Sequence, residues 1–371
     1  MTVRYSRRSL LLGSSAVAAA ALTLTDRQTM AAEPKSAAGG LARLIGNENP
    51  YGPSASARQA AIETLPTAWQ YPMGNDRNLK ALIAAREGLK PENVMIGAGS
   101  GEILQIAGLV FGANSEVVAA KPTFGFLQAY ARKSGATITE VPLDHDMRHD
   151  LKALAAKTRQ GSTGLLYICN PNNPTGTLVP GPELRPFLAE MARRTTVLVD
   201  EAYLDLWDDW PQHTGTDRVK AGDPVIVTRT FSKLHGMAGL RVGYALAPAP
   251  LIDKLEQHRM TILGCVGVAA ATASYQDLDY QAFSRARLHE GLAITTTALR
   301  ELKMPHVENG RGNFVFFDTG GPLADFSAAM RRAGYMVGRP FAPYSNWCRV
   351  SMGTVEQMHG FAAALRDWKT T

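Results

Sequence analysis

The stretch Thr228-Arg229-Thr230-Phe231-Ser232-Lys233-Leu234-His235-Gly236-Met237-Ala238-Gly239-Leu240-Arg241-Val242-Gly243-Tyr244 follows the apolar run Val225-Ile226-Val227, which reads as a buried strand. It sets one lysine between a hydroxyl-rich turn and a glycine-rich one. An amine on a flexible stem condenses with an aldehyde when its surroundings depress its pKa, and a positive charge such as that of Arg241 acts in that direction. Lys233 is therefore a candidate Schiff-base nucleophile. Ser232 and Arg241 add a hydroxyl and a guanidinium fork, the chemistry that holds a phosphate. A surface lysine on a loop is the competing reading, and the segment alone does not separate the two.

Two upstream motifs sit where strands end. Leu165-Leu166-Tyr167-Ile168-Cys169 runs into Asn170-Pro171-Asn172-Asn173-Pro174-Thr175-Gly176, and Thr196-Val197-Leu198-Val199 runs into Asp200-Glu201-Ala202-Tyr203. Prolines and a glycine make the first a rigid loop at a strand end, where open α/β sheets place their ligands. The second puts a carboxylate at a buried strand end, which is costly unless a cation or donor meets it. Val94-Met95-Ile96 likewise leads into Gly97-Ala98-Gly99-Ser100-Gly101-Glu102 and a helix to about Phe111. Glycines let a ligand come close, and the first helix amides point free donors at an anion, so this reads as a phosphate cradle. Glu102 stands where a dinucleotide fingerprint has its third glycine, and no Gly-Lys-Ser/Thr ending follows, so neither nucleotide-binding pattern is met.

In this order, the strings Asn170 to Gly176, Asp200 to Tyr203, Ser232-Lys233 and Gly239 to Tyr244 resemble the fold-type I pyridoxal-phosphate-dependent aminotransferases of class I/II, with most similarity to the histidinol-phosphate aminotransferases. The resemblance runs from about Leu44 to the C-terminus. It implies an α/β fold with a mixed, mostly parallel seven-stranded sheet in a large domain, and a small α/β domain. The expected division is an N-terminal arm and helix at 33–65, a large cofactor-binding domain at 66–260, and a long linking helix with the small domain at 261–371.

The resemblance also implies pyridoxal 5'-phosphate as cofactor and Lys233 as the catalytic lysine. Gly99, Ser100, Gly101, Ser232 and Arg241 would hold the phosphate, Asn173 and Tyr203 the ring oxygen, and Asp200 the ring nitrogen. Phe124 would stack on the ring, a task that needs only a π face. Tyr71, before Pro72, implies a homodimer in which it reaches the other subunit's cofactor phosphate. Arg349, in Trp347-Cys348-Arg349-Val350-Ser351, matches the arginine on the substrate carboxylate, a bidentate role that lysine fills poorly. The arm Leu44 to Ser54 lies over the site in the family, which puts Asn47 or Asn49 (Asn49 being the residue assigned to substrate) within reach; a plain capping loop is the other reading. The activity implied is transfer of an amino group between an amino acid and a 2-oxo acid or phosphorylated ketone, with ping-pong kinetics.

The substrate is less determined. Family members read a substrate phosphate partly with an arginine shortly before the carboxylate arginine, and Arg339 in Val337-Gly338-Arg339-Pro340 stands one residue off that spacing. In a strand, a one-residue slip turns a side chain to the other face. Arg311 offers another anion contact. Aromatic or other amino-acid aminotransferases and a pyridoxal-phosphate decarboxylase stay open. A noncatalytic cofactor-binding protein would need neither Lys233 nor Asp200 nor Arg349. Hydrolase signatures are missing: there is no His-Glu-x-x-His string and no Gly-x-Ser-x-Gly elbow.

With 45% hydrophobic and 19% charged residues, the 371-residue chain has the composition of a globular protein with ample core. Its first part differs. Ser6-Arg7-Arg8-Ser9-Leu10-Leu11 is a twin-arginine pattern, followed by an alanine-rich apolar run and small residues at Ala31-Ala32, which reads as an export signal over 1–32 and a periplasmic or extracytoplasmic location, with a transit peptide or a retained membrane anchor as the alternatives. Removing it takes away Arg4, Arg7, Arg8 and Arg27 against Asp26, so the net charge of +6 falls by three. That balance gives no footprint for nucleic acid. Nor is stable membrane association expected. Cys169, Cys265 and Cys348 are too few and too scattered for a disulfide framework or a metal cluster and read as buried thiols. His145 and His149 read as solvated rather than as metal ligands.

Overall fold

The computed structural model describes residues 40–370, so the export signal read over 1–32 lies outside the described residues. The strands, in chain order, are β1 (Ala42–Arg43), β2 (Val94–Gly97), β3 (Glu116–Lys121), β4 (Thr137–Pro142), β5 (Thr163–Cys169), β6 (Thr196–Asp200), β7 (Val225–Thr230), β8 (Gly243–Leu246), β9 (Phe314–Asp318), β10 (Tyr335–Met336) and β11 (Trp347–Ser351). β2 to β8 form a seven-stranded sheet in the order β2-β8-β7-β6-β5-β3-β4. β8 is antiparallel to both its neighbours, and the other pairings are parallel. The expected mixed, mostly parallel sheet is what the chain builds.

The apolar runs seen in the sequence have a direct cause. A parallel sheet is covered on both faces, so its strands are buried throughout. Every residue of β7 is buried. One face packs Val118, Leu166, Ile168, Val197, Val199, Val225 and Val227 with helices Arg77–Glu87 and Gly181–Met191. The other packs Val117, Ala119, Leu165, Tyr167, Leu198 and Ile226 with helix Ser100–Phe111. Helix Cys265–Gln276, which the sequence groups with the C-terminal part, packs Val268, Ala270, Ala271 and Tyr275 into the first of these clusters.

Between β7 and β8 the chain holds a single 3-10 turn, Ala238–Leu240, in place of the helix that a parallel crossover uses. The chain therefore doubles back, and Thr230 pairs with Gly243, which in turn pairs with Gly97. On the other side Asp200 faces Thr228, and Cys169 faces Asp200. The ends of β2, β5, β6 and β7 thus line one edge of the sheet, and each of the singled-out motifs starts there.

After helix Leu278–Glu301 the chain makes a smaller unit. β9 and β11 pair antiparallel, and β10 pairs parallel with β1 of the N-terminal arm. Helices Leu323–Arg332 and Val355–Thr370 cover this unit around Phe317, Phe326, Phe361 and Leu365. Leu44 of the arm is buried in the same cluster, so the arm is tied to the small unit while crossing the edge of the large sheet.

Candidate active site

At the sheet edge, Asp200 is buried, with Thr228 donating to its Oδ1 at 3.1 Å and Tyr167 to its Oδ2 at 3.2 Å. Burial pushes the Asp200 carboxyl up to about 6, against the pull of those two hydroxyls, the Ala202 amide and the Lys233 charge. An acid held in a dry place without a direct cationic partner is ready for a ligand that supplies one.

Along the same edge of the sheet, past β7 and β8, lies the glycine turn at the end of β2. Helix Ser100–Phe111 starts after Gly99, whose φ of 77° favours glycine, and no side chain caps it. A Cβ on Gly99 would collide with the Arg241 guanidinium, and one on Gly243 would collide with the Ser100 amide. Glu102 reaches back to accept from the Ala98 amide at 2.6 Å and so fixes the turn. The amides of Ser100 and Gly101 lie in the first helical turn, where no intrahelical acceptor exists. Arg241 donates to Ser232 Oγ at 3.4 Å, and Thr230 donates to Ser232 at 3.0 Å. Free amides, a hydroxyl and a guanidinium around one hollow suit an anion.

Lys233 stands between this cradle and the small unit. Its Nζ donates to the carbonyl of Asn47 at 2.9 Å and lies 5.4 Å from the Tyr203 ring centre. Crowding by protein and the Arg349 charge push its amine down to about 8, with Glu48 and Asp200 acting the other way. Tyr203 Oη accepts from Asn47 at 3.0 Å and from Asn173 at 3.2 Å, while Asn173 Oδ1 accepts from Arg349 at 2.6 Å. Arg349 also donates to the Ile45 carbonyl at 2.7 Å, yet its Nε is buried without a partner. Burial and the nearby Arg339 charge lower its pKa. Asn313 at the head of β9 donates to the carbonyls of Asn47 and Glu48 at 3.0 and 3.1 Å, which pins the arm over Lys233.

Not every expected residue lies in this group. Asn49 is a strut behind the site: its amide donates to Leu234 O and Ser284 Oγ, and its oxygen accepts from the Tyr51 amide. The neighbour two residues earlier, Asn47, faces Tyr203 instead. Arg339 lies beyond the end of β10, exposed, so the strand-slip argument does not apply; its guanidinium packs on Phe341 at 4.5 Å, and Arg349 packs on the same ring at 5.2 Å. Arg311 is spent on a two-pronged pair with Asp209 at 2.6 and 2.9 Å. Phe124 is half-buried and stacked on Phe126 at 4.7 Å, and Phe126 lies beside Gly101. Tyr71 is 85% exposed, and the groove beside it is lined by Thr64, Pro72, Met73, Cys265 and Val268 rather than by cradle residues.

Two further readings change. His149 is buried, with Nε2 at 2.7 Å from the Cys169 carbonyl, while His145 is exposed. Cys265 is half-buried, unlike Cys169 and Cys348. Among the described residues no group of three His, Cys, Asp or Glu is placed to hold a metal ion. Sequence reasoning passed over Tyr167, Thr228 and Asn313 as site residues. The signal for the first two is the pairing of β5 and β7 with β6, which the string of residues does not display.

A family model described as aminotransferase class I and II matches residues 41–365. The chain is 36% identical over 330 residues to the histidinol-phosphate aminotransferase of Moorella thermoacetica, covering 88% of this chain and 84% of that one. It is 34% identical over 333 residues to histidinol-phosphate aminotransferase 1 of Cupriavidus pinatubonensis, covering 88% of each. The crystal structure of the histidinol-phosphate aminotransferase of Sinorhizobium meliloti in complex with pyridoxal-5'-phosphate superposes with a TM-score of 0.80 at 27% identity, covering 89% of this chain and 91% of that one. These matches span both the large sheet and the small unit, so the chain belongs to the class I and II aminotransferases, as a pyridoxal-phosphate-dependent transaminase similar to the histidinol-phosphate aminotransferases.

Proposed function

We propose that this transaminase acts on small amines bearing an anionic group, histidinol phosphate foremost, with Lys233 as its catalytic amine. The observation that carries the reading is Arg349, whose Nε is buried without a partner while its Nη1 is fixed on Asn173. A buried donor left unpaired costs about 1–3 kcal/mol, which an anion bound there relieves. The second guanidinium, Arg339, lies across Phe341 and suits a dianion such as a phosphate better than a lone carboxylate. The names of the relatives support the same class of substrate.

Bound pyridoxal phosphate supplies an aldehyde carbon and a ring that accepts electrons. The residues fit it. Gly99, Ser100, Gly101, Ser232 and Arg241 would take the phosphate, and Asp200 the ring nitrogen. Asn173 and Tyr203 would take the ring oxygen, with Phe124 on the ring face. With a pKa of about 8, part of the Lys233 population is a neutral amine near neutral pH, so it serves both to hold the aldehyde carbon and to carry the proton from the substrate Cα. The arm carbonyls at Gly46 and Asn47 orient that amine.

The same reading extends to assembly and location. Trp69, Tyr71 and Met73 are 82, 85 and 78% exposed, with Ile62, Leu65, Met260 and Ile262 also largely exposed. An apolar surface of this kind suits a second copy of the chain, with Tyr71 completing the partner's cradle. The twin-arginine string supports export across the cytoplasmic membrane.

The test is a half-reaction scan. Purified protein loaded with pyridoxal phosphate is offered histidinol phosphate and a panel of amino acids, and loss of the cofactor's visible absorbance is followed. Arg339→Ala is expected to slow the histidinol-phosphate reaction selectively. Conversion by aromatic or dicarboxylic amino acids with none by histidinol phosphate would overturn the substrate reading.

A further inference from the structure

The register of the large sheet puts Thr228 of β7 directly opposite Asp200 at the end of β6, and Cys169 of β5 opposite it on the other side. Tyr167 lies two residues before Cys169, hence on the same face, diagonal to Asp200. Thr228 donates to Oδ1 at 3.1 Å and Tyr167 to Oδ2 at 3.2 Å. Each oxygen of the carboxylate thus has one hydroxyl donor. We propose that Tyr167 and Thr228 are positioning residues for the transamination: together they fix the plane of the Asp200 carboxylate and hold it as an anion for the ring nitrogen of the cofactor. The proposal rests on the reading of Asp200 given above.

The choice of donors has a physical reason. A guanidinium or ammonium in direct contact would orient the carboxylate equally well, but it would also neutralise the charge that the ring nitrogen needs. Hydroxyls orient without neutralising. The titratable groups facing Asp200 are Tyr167 and Cys169 from β5, with Tyr203 and Lys233 from the following loops. Burial raises the two tyrosines and the thiol, which leaves them uncharged near neutral pH, so Lys233 is the cation among these four. Tyr167 is completely buried in an apolar cluster with Val117, Leu165 and Leu198. Phenylalanine would fill the same volume there, and the hydroxyl is used at Asp200.

The experiment titrates apoprotein with pyridoxal phosphate, reading Kd from quenching of intrinsic fluorescence over a range of pH. Tyr167→Phe and Thr228→Val are each expected to raise Kd about tenfold, whereas Thr228→Ser stays within about twofold. Removing a donor that favours the carboxylate raises the pKa of Asp200, so binding should begin to weaken at a higher pH on acidification. In an Asp200→Asn background the same two substitutions should have no further effect on Kd, a result that a merely structural role would not give. Unchanged affinity and pH profile, or equal losses in the Asp200→Asn background, would overturn the proposal. Asp200→Asn binding as tightly as the parent would sink the reading of Asp200 itself, and the clamp with it. If Asp200→Asn binds weakly while both single variants bind normally, only the clamp fails. Melting curves of each apoprotein establish that the variants fold, and the Thr228→Val and Thr228→Ser pair carries the test should Tyr167→Phe not.

Discussion

The floor and the wall of the site are built differently. On the floor, Asp200, the glycine turn and the Lys233 loop are strand ends brought together by sheet register, so each sits within a few residues of a paired position. The wall has Arg349 on Asn173, Asn47 on Tyr203, and Asn313 on the arm, contacts that join residues 156 to 266 positions apart. Backbone pairing sets the floor, whereas side-chain hydrogen bonds between separate units set the wall. The floor should then tolerate loss of a wall residue that does not meet the cofactor, such as Arg349, with its cofactor affinity intact, and that damage should appear as lost substrate affinity.

The sharpest separation comes from Lys233, a floor residue whose amine is bonded to the arm. Lys233→Ala is expected to lower the half-reaction rate by about 10³-fold or more, from loss of both its amine chemistry and its proton transfer. The large sheet should be unaffected, with the melting curve of the apoprotein close to the parent's. Near-normal turnover would remove Lys233 from the chemistry. Next in size is Arg349→Gln. Removing a buried charge that grips an anion costs about 2–5 kcal/mol, so KM for an anionic amine should rise about 30-fold or more while cofactor affinity stays near the parent's. The same change predicts a pH effect with a definite sign. The Arg349 charge helps to hold Lys233 down at about 8, so without it the ammonium is favoured and the pH at which the amine becomes neutral moves upward. The pH dependence of the rate at which the apoprotein's Lys233 amine condenses with added pyridoxal phosphate reads this, and an unchanged midpoint would show that the two charges are not coupled.

The same contrast explains what was legible beforehand. The strand ends, the cradle and Asp200 are written in contiguous strings, because apolar runs end in glycine, proline or acid at the positions where strands end. Thr228 lies five residues before Lys233 in the same string, yet its role depends on standing opposite Asp200, which only the pairing of β6 and β7 reveals. Asn47 and Asn49 lie two apart in one arm, and nothing in their spacing says which turns toward Tyr203; the left-handed backbone at Asn47, with φ of 50°, goes with the difference. His149 looked solvated in a polar segment, but the chain folds it beneath the end of β5. Arg339 reads as a strand residue from its spacing, and it follows the strand's end at Met336.

Arg311 gives the smallest expected effect and the finest test of the contrast. From sequence it was a second anion contact, and in the fold its guanidinium is committed to Asp209. Three ties hold this residue at the junction of floor and wall. Its amide donates to Gly176 O at 2.7 Å, its carbonyl accepts from Trp207 Nε1 at 2.8 Å, and its side chain pairs with Asp209. His213 accepts the Gly181 amide on Nδ1 at 3.1 Å, which leaves Nε2 to donate to the same Asp209 at 3.3 Å. The ion pair is partly exposed, with 25 and 36% of the two side chains accessible, so solvent screens it and its loss should cost at most about 1 kcal/mol. The two backbone ties survive Arg311→Gln and keep Asn313, two residues on, over the arm. KM for an anionic amine should therefore change by no more than about threefold, and a rise as large as that of Arg349→Gln would restore Arg311 to the substrate wall.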